Sequence, residues 1–173
     1  MRVPRIVSVS LALLTVACGS SNGPQPVSSM TPVEFQLSNA GAASVYVYEG
    51  CIPDLTITEL AHPSQAVGRL DGCPICECQA LSCRQATCGA CFDSGQEIAA
   101  GTTETYSWIP VDVAVESQGT NTCTHTTALF PGHYRIDVPT YASAVDAAAK
   151  TNARVVSQAF DLPADTVDVA LAR

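Results

Sequence analysis

From Pro32 onward, apolar and polar residues take turns along the chain. In PVEFQLS, Val33, Phe35 and Leu37 alternate with Glu34 and Gln36, the period-two signature of a strand with one buried face. NAGAA turns the chain, SVYVYE (residues 44–49) is β-branched and aromatic, and DLTITEL repeats the alternation through Leu55 and Ile57. HPSQ marks another turn, and AVGRL is a short candidate strand. EIAAGTTETYSWIP reads as a turn at Gly101 followed by a strand through Tyr106 and Trp108. PVDVAVES alternates Val111, Val113 and Val115 with acidic or small residues. PGHYRIDVP turns at Pro131-Gly132 and then sets Tyr134, Ile136 and Val138 on one face. ARVVSQAFDLP and DTVDVALA add two strands, the second through Val167, Val169 and Leu171. Only YASAVDAAAK (Tyr141 to Lys150) favours a helix, because alanine loses least entropy there.

Roughly seven to nine short strands with turn signals between them predict an all-β protein. The expected architecture is an immunoglobulin-like β-sandwich with a disulfide-rich loop insertion and one short helix. The insertion is DGCPICECQALSCRQATCGACFDSG, residues 71–95, too dense in Cys and Gly to be a strand itself. No fixed-period repeat is visible, which excludes solenoids and propellers.

The first residues change the picture from a domain to a location. Arg2 and Arg5 precede the apolar run IVSVSLALLTV, which ends in small residues at Ala17 and Cys18. A positive start, an apolar stretch and a small-residue cut site describe an export signal, and the run is too short to span a bilayer. LTVAC resembles the lipobox of bacterial lipoproteins, with Leu14 one position early and Thr15 in its usual place. The resemblance implies that the Cys18 thiol carries diacylglycerol and becomes the first mature residue. Gly19, rather than an aspartate, follows it, which by the same resemblance favours the outer membrane, facing periplasm or outside. The expected organisation is a signal peptide over 1–17, the lipidated Cys18 and a Gly/Ser/Pro tether to residue 31, and a sandwich domain over 32–173.

Charge narrows the partners. Loss of Arg2 and Arg5 leaves six basic residues against sixteen acidic ones, a mature net charge of −10. The basic residues are isolated and form no cationic stripe, so nucleic acid is excluded as an expected partner. An acidic surface repels anionic headgroups, so membrane contact is expected through the acyl chains alone.

The chain has nine cysteines, an odd number that an exported protein must explain. Lipidating Cys18 leaves eight: Cys51, Cys73, Cys76, Cys78, Cys83, Cys88, Cys91 and Cys123. In an oxidising compartment these are expected as four disulfides, each contributing about 2–4 kcal/mol by restricting the unfolded chain. Cys51 and Cys123 lie outside the cluster, and either staple two strands together or pin the cluster to the sandwich; the connectivity stays open. The alternative is a zinc or copper site, with Cys73, Cys76, Cys88 and Cys91 as a four-thiolate shell. CPIC also has the form of a redox C-x-x-C, but without the βαβ setting that chemistry uses.

Other chemistry is thin. Cys123, His125 and His133 gather the residue types of a copper site, yet no methionine follows them. No hydrolase, P-loop or EF-hand string occurs, and no cofactor is expected. Glu34, Asp54, Glu59, Asp112, Glu116, Asp137 and Asp168 mostly take outward strand positions. Trp108 and Tyr46, Tyr48, Tyr106, Tyr134 and Tyr141 could stack on sugars, although strand packing explains them too. Taken whole, the chain resembles the uncharacterised cysteine-rich lipoproteins of Gram-negative bacteria: lipobox, tether, sandwich, Cys-rich insertion and a PGxY strand. The expected function is a non-enzymatic binding or adhesion module of the cell envelope, its partner an envelope protein or glycan.

Overall fold

Alternation of side chains builds every layer of this fold. The computed structural model describes residues 31–69, 78, 91–118 and 121–171. Along them run β1 (Val33–Ser38), β2 (Val45–Glu49), β3 (Thr56–Glu59), β4 (Ser94–Ile98), β5 (Thr103–Trp108), β6 (Val111–Gln118), β7 (Asn121–Ala128), β8 (Gly132–Thr140), α1 (Ala144–Ala149), β9 (Arg154–Leu162) and β10 (Thr166–Ala170). The result is an all-β, sandwich-like protein with one short helix.

One layer has β1 at its centre, antiparallel to β5 and parallel to β10. The other is built on β8, antiparallel to both β3 and β9. β2 continues along the β3 edge of β8: Tyr46 and Tyr141 exchange backbone hydrogen bonds at 3.0 and 2.8 Å. β4 then pairs antiparallel with β2. β2 and β3 thus behave as one long strand, broken by an excursion through Cys51 and Pro53.

The core fills the space between the layers. Val33, Phe35 and Leu37 of β1, with Val167 and Val169 of β10, are buried on one side. Ile57, Tyr134, Ile136, Val138 and Phe160 are buried on the other. Phe160 lies edge-on to Phe35 (5.5 Å) and Trp108 (6.4 Å) and stacks on Tyr134 (5.9 Å), so both layers share one aromatic cluster. The Tyr134 hydroxyl donates to the Phe130 carbonyl at 2.9 Å, closing the corner that PGHY turns. Such a tyrosine corner is a recurring feature of immunoglobulin-like sandwiches.

Two positions lock the end of the sandwich beyond Ser38. Asn39, fully buried, donates from Nδ2 to the Ala43 and Ile98 carbonyls at 2.9 Å each, and its Oδ1 accepts from the Gly41 amide at 3.0 Å. Gly101 takes φ +75° in the β4–β5 turn, where a side chain would be strained. The helix docks on β4 where Gly95 leaves room: a Cβ there would stand 2.6 Å from the Ala144 backbone. Its N-cap is Ser143, whose Oγ accepts from the Asp146 amide and donates to the Asp146 carboxylate.

Several expectations need correction. The chain written off as insertion up to residue 95 already contains the start of β4, because Ser94 and Gly95 pair with Glu49 and Tyr48. AVGRL gives no strand, only an isolated bridge from Ala66 to Thr58. β7, which carries Cys123 and His125, has few large apolar residues and no clean alternation; its pairing with β6 defines it. Val115 does not share the burial of Val113: it is 60% exposed against 7%, although its partner across the hairpin, Thr124, is buried. Within YASAVDAAAK the helix occupies Ala144–Ala149, just under two turns.

Candidate functional site

The excursion between β2 and β3 is where the insertion meets the sandwich. Gly50 and Pro53 break the ladder there, and Cys51 is carried outward on the break. Cys51 is joined to Cys91, just before β4 begins. A second disulfide joins Cys78 to Cys123 of β7, and the Cys78 amide donates to the Thr124 carbonyl at 2.9 Å. Both outlying cysteines therefore pin the insertion, and neither links strand to strand within the sandwich. Of the alternatives the sequence leaves open, this is the second. Cys18, Cys73, Cys76, Cys83 and Cys88 lie outside the described residues.

The two bridges differ in setting. Cys51 and Cys91 are exposed, whereas Cys123 is buried where Cys78 meets it. Phe92, next to Cys91, is 85% exposed, the most exposed of the large apolar residues described.

A recess of about 310 Å³ opens beside the Cys51–Cys91 bridge, lined also by Tyr48, Asp54, Arg69 and Lys150. Lys150 comes from the C-cap of α1, with φ 52°, and reaches back to the recess. Its Nζ stands 3.1 Å from the Asp54 carboxylate and 3.8 Å from the centre of the Tyr48 ring. The Tyr48 hydroxyl donates to Asp93, and that bond, followed by desolvation and then the charges of Asp93 and Asp54, holds the phenol above its ordinary pKa. Arg69 donates to the Pro53 carbonyl at 3.1 Å. It also borders a second, apolar cavity of about 210 Å³ formed by Ile52, Leu55, Tyr106, Trp108 and Val113. Burial beside that cavity pushes the Tyr106 phenol up to about 12, with Glu49 and Glu104 adding to the effect.

These groups can hold a ligand by charge, stacking and apolar contact. They do not form a reacting pair. Lys150 is occupied by Asp54, and Tyr48 is more firmly protonated than a free phenol. No histidine borders either cavity. His62 pairs with Glu59 and His133 with Asp161, both on the exposed surface. Cys123, His125 and His133 are not brought together: Cys123 is bridged and buried, and His125 is exposed farther along β7. The sulfur of Cys91 is committed to Cys51, so it is not a free thiolate for the four-cysteine shell. No cluster of three or more potential metal ligands occurs among the described residues. Trp108, Tyr134 and Tyr141 are buried in packing rather than displayed for stacking on a sugar.

The recess was not legible in the sequence. Lys150 and Arg69 read as isolated cations, and Tyr48 and Lys150 stand about 100 positions apart in the chain. Phe92 did leave a signal: a large aromatic beside a cysteine, in a segment otherwise poor in apolar residues. Compared with protein families, curated proteins and solved structures, the chain matches none.

Proposed function

We propose that this protein is a cell-envelope lipoprotein, anchored through acyl chains on Cys18, whose sandwich presents the Cys-rich insertion as a non-enzymatic binding surface. The observation that supports it is the double fastening of the insertion, to the β2–β3 excursion by Cys51–Cys91 and to β7 by Cys78–Cys123. A loop fixed at separate points on a rigid scaffold loses less entropy on binding than a free one, which is how scaffolded loops commonly serve recognition. Exposed Phe92 and the charged recess beside it supply contact chemistry at the foot of that loop. An envelope protein or a glycan fits such a surface.

Intact mass of protein purified from the envelope, before and after alkylation, tests the anchor and the bridges together. Diacylglycerol mass at the mature N-terminus with no alkylatable thiol is expected. Protein found in the cell interior with free sulfhydryls would overturn the reading. The recognition role is tested by Phe92→Ser, which leaves both bridges intact. Capture of envelope components by the purified protein should weaken, and unchanged capture counts against the loop as contact face. No helix among the described residues is long and apolar enough to cross a membrane.

A further inference from the structure

Register identifies one end of the sandwich with the start of the described chain. Val33, two residues after Thr31, lies opposite Trp108 at the end of β5. Gly132 at the start of β8 lies opposite Leu162 at the end of β9, and only residues 163–165 separate Leu162 from β10. The turns at this end carry three large apolar side chains that the core does not use: Leu60, Ile109 and Phe130, 41, 51 and 47% exposed. The Leu129 amide donates to the Pro110 carbonyl at 3.1 Å, setting Phe130 and Ile109 on neighbouring turns. The Leu60 amide donates to the His133 carbonyl at 2.9 Å, bringing the third turn alongside.

We propose that this pole rests on the lipid bilayer, with Leu60, Ile109 and Phe130 entering its interfacial layer. The inference rests on the reading of Cys18 as acylated and adds to it a protein–lipid contact that composition did not suggest. What selects lipid as the occupant is where the chain leads. Residues 18–30 connect the acyl anchor to Thr31, at this pole and no other. Thirteen residues reach at most about 45 Å when extended. The Gly/Ser/Pro composition of residues 19–30 predicts an average span of roughly 20 Å for such a length, which would hold the pole close to the surface. Apolar side chains on turns at that height gain by leaving water for the interface.

The charges fit a zwitterionic surface. Glu59 and Asp161, the carboxylates beside these turns, are hydrogen-bonded to His62 at 2.9 Å and His133 at 2.5 Å. Glu34 and Asp165 add acidic charge at the same end, which argues against anionic lipid.

Trp108, the single tryptophan, adjoins Ile109 at this pole and serves as the probe. The lipidated protein, purified from membranes, is reconstituted into phosphatidylcholine vesicles whose acyl chains carry bromine near the headgroup. Trp108 emission should fall relative to unlabelled vesicles. Ile109→Ser/Phe130→Ser should restore it while the protein still floats with the vesicles. Val145→Ser/Val155→Ser, at exposed positions of α1 and β9, should leave the quenching unchanged. Flotation without quenching, or quenching that the Ile109/Phe130 pair does not relieve, overturns the contact and spares the anchor. Failure to float, with no acyl mass on Cys18, overturns the anchor itself.

Discussion

Removing the two bridges separately measures what fastens the insertion. The disulfides close 40 and 45 residues. For loops of that size, the chain-entropy relation gives about 4 kcal/mol of stability each, relative to the reduced chain. The loops overlap between residues 78 and 91, so once one is closed the other constrains a shorter free segment. Their joint effect should therefore fall short of the sum. What separates the bridges is burial. Cys51 and Cys91 are exposed, while Cys123 is 8% exposed and sits under Cys78. Losing a buried sulfur costs about a further 1 kcal/mol in packing, on the scale of one buried methylene. With the other bridge still closed, Cys51→Ala/Cys91→Ala should thus lower unfolding free energy by less than the isolated-loop value of about 4 kcal/mol, and Cys78→Ala/Cys123→Ala by about 1 kcal/mol more than the exposed pair. Urea unfolding of the oxidised proteins, with peptide mapping to check the remaining bridges, gives both values. Equal losses, or a larger loss for the exposed pair, would refute the burial argument. A loss below about 1 kcal/mol in either variant would refute the entropic one.

Other outcomes follow from particular contacts. Asn39→Ala strands the groups that the amide satisfies and should cost about 3 kcal/mol in chemical denaturation, at about 1 kcal/mol per hydrogen bond. Gly95→Ala drives a methyl into the Ala144 backbone and should cost about 1–3 kcal/mol. Gly101→Ala has open space and should lose only about 1–2 kcal/mol, to its positive φ; a reversed order would contradict the helix docking. Tyr106 is held up to about 12, above the value of about 10 expected in the unfolded chain. Its raised pKa means the folded state favours the neutral phenol, so this stability is complete below about pH 10 and is lost as pH climbs toward about 12. Burial raises Tyr134 and Tyr141 in the same direction. Tyr106→Phe should therefore flatten, without abolishing, the alkaline fall in urea midpoint, and an unchanged slope would show that Tyr106 does not couple to folding.

Local periodicity determined much of this protein. Where one face of a strand meets the core, alternation is enforced residue by residue, so β1, β8 and β10 were legible from Val33–Phe35–Leu37, Tyr134–Ile136–Val138 and Val167–Val169. The same rule failed where the core is absent or the pairing is short. β7 is rich in threonine and gains its place from β6, and β4 borrows its register from β2. The insertion was visible as a density of cysteine, but not its fastening, since sulfurs 40 residues apart carry no mark of their partners. Only tertiary structure put Lys150 over Tyr48, placed Arg69 between two cavities and gathered Leu60, Ile109 and Phe130 at one pole. Side-chain period is a property of neighbours along the chain. Sites and surfaces are made by strands that meet only after the chain has closed on itself.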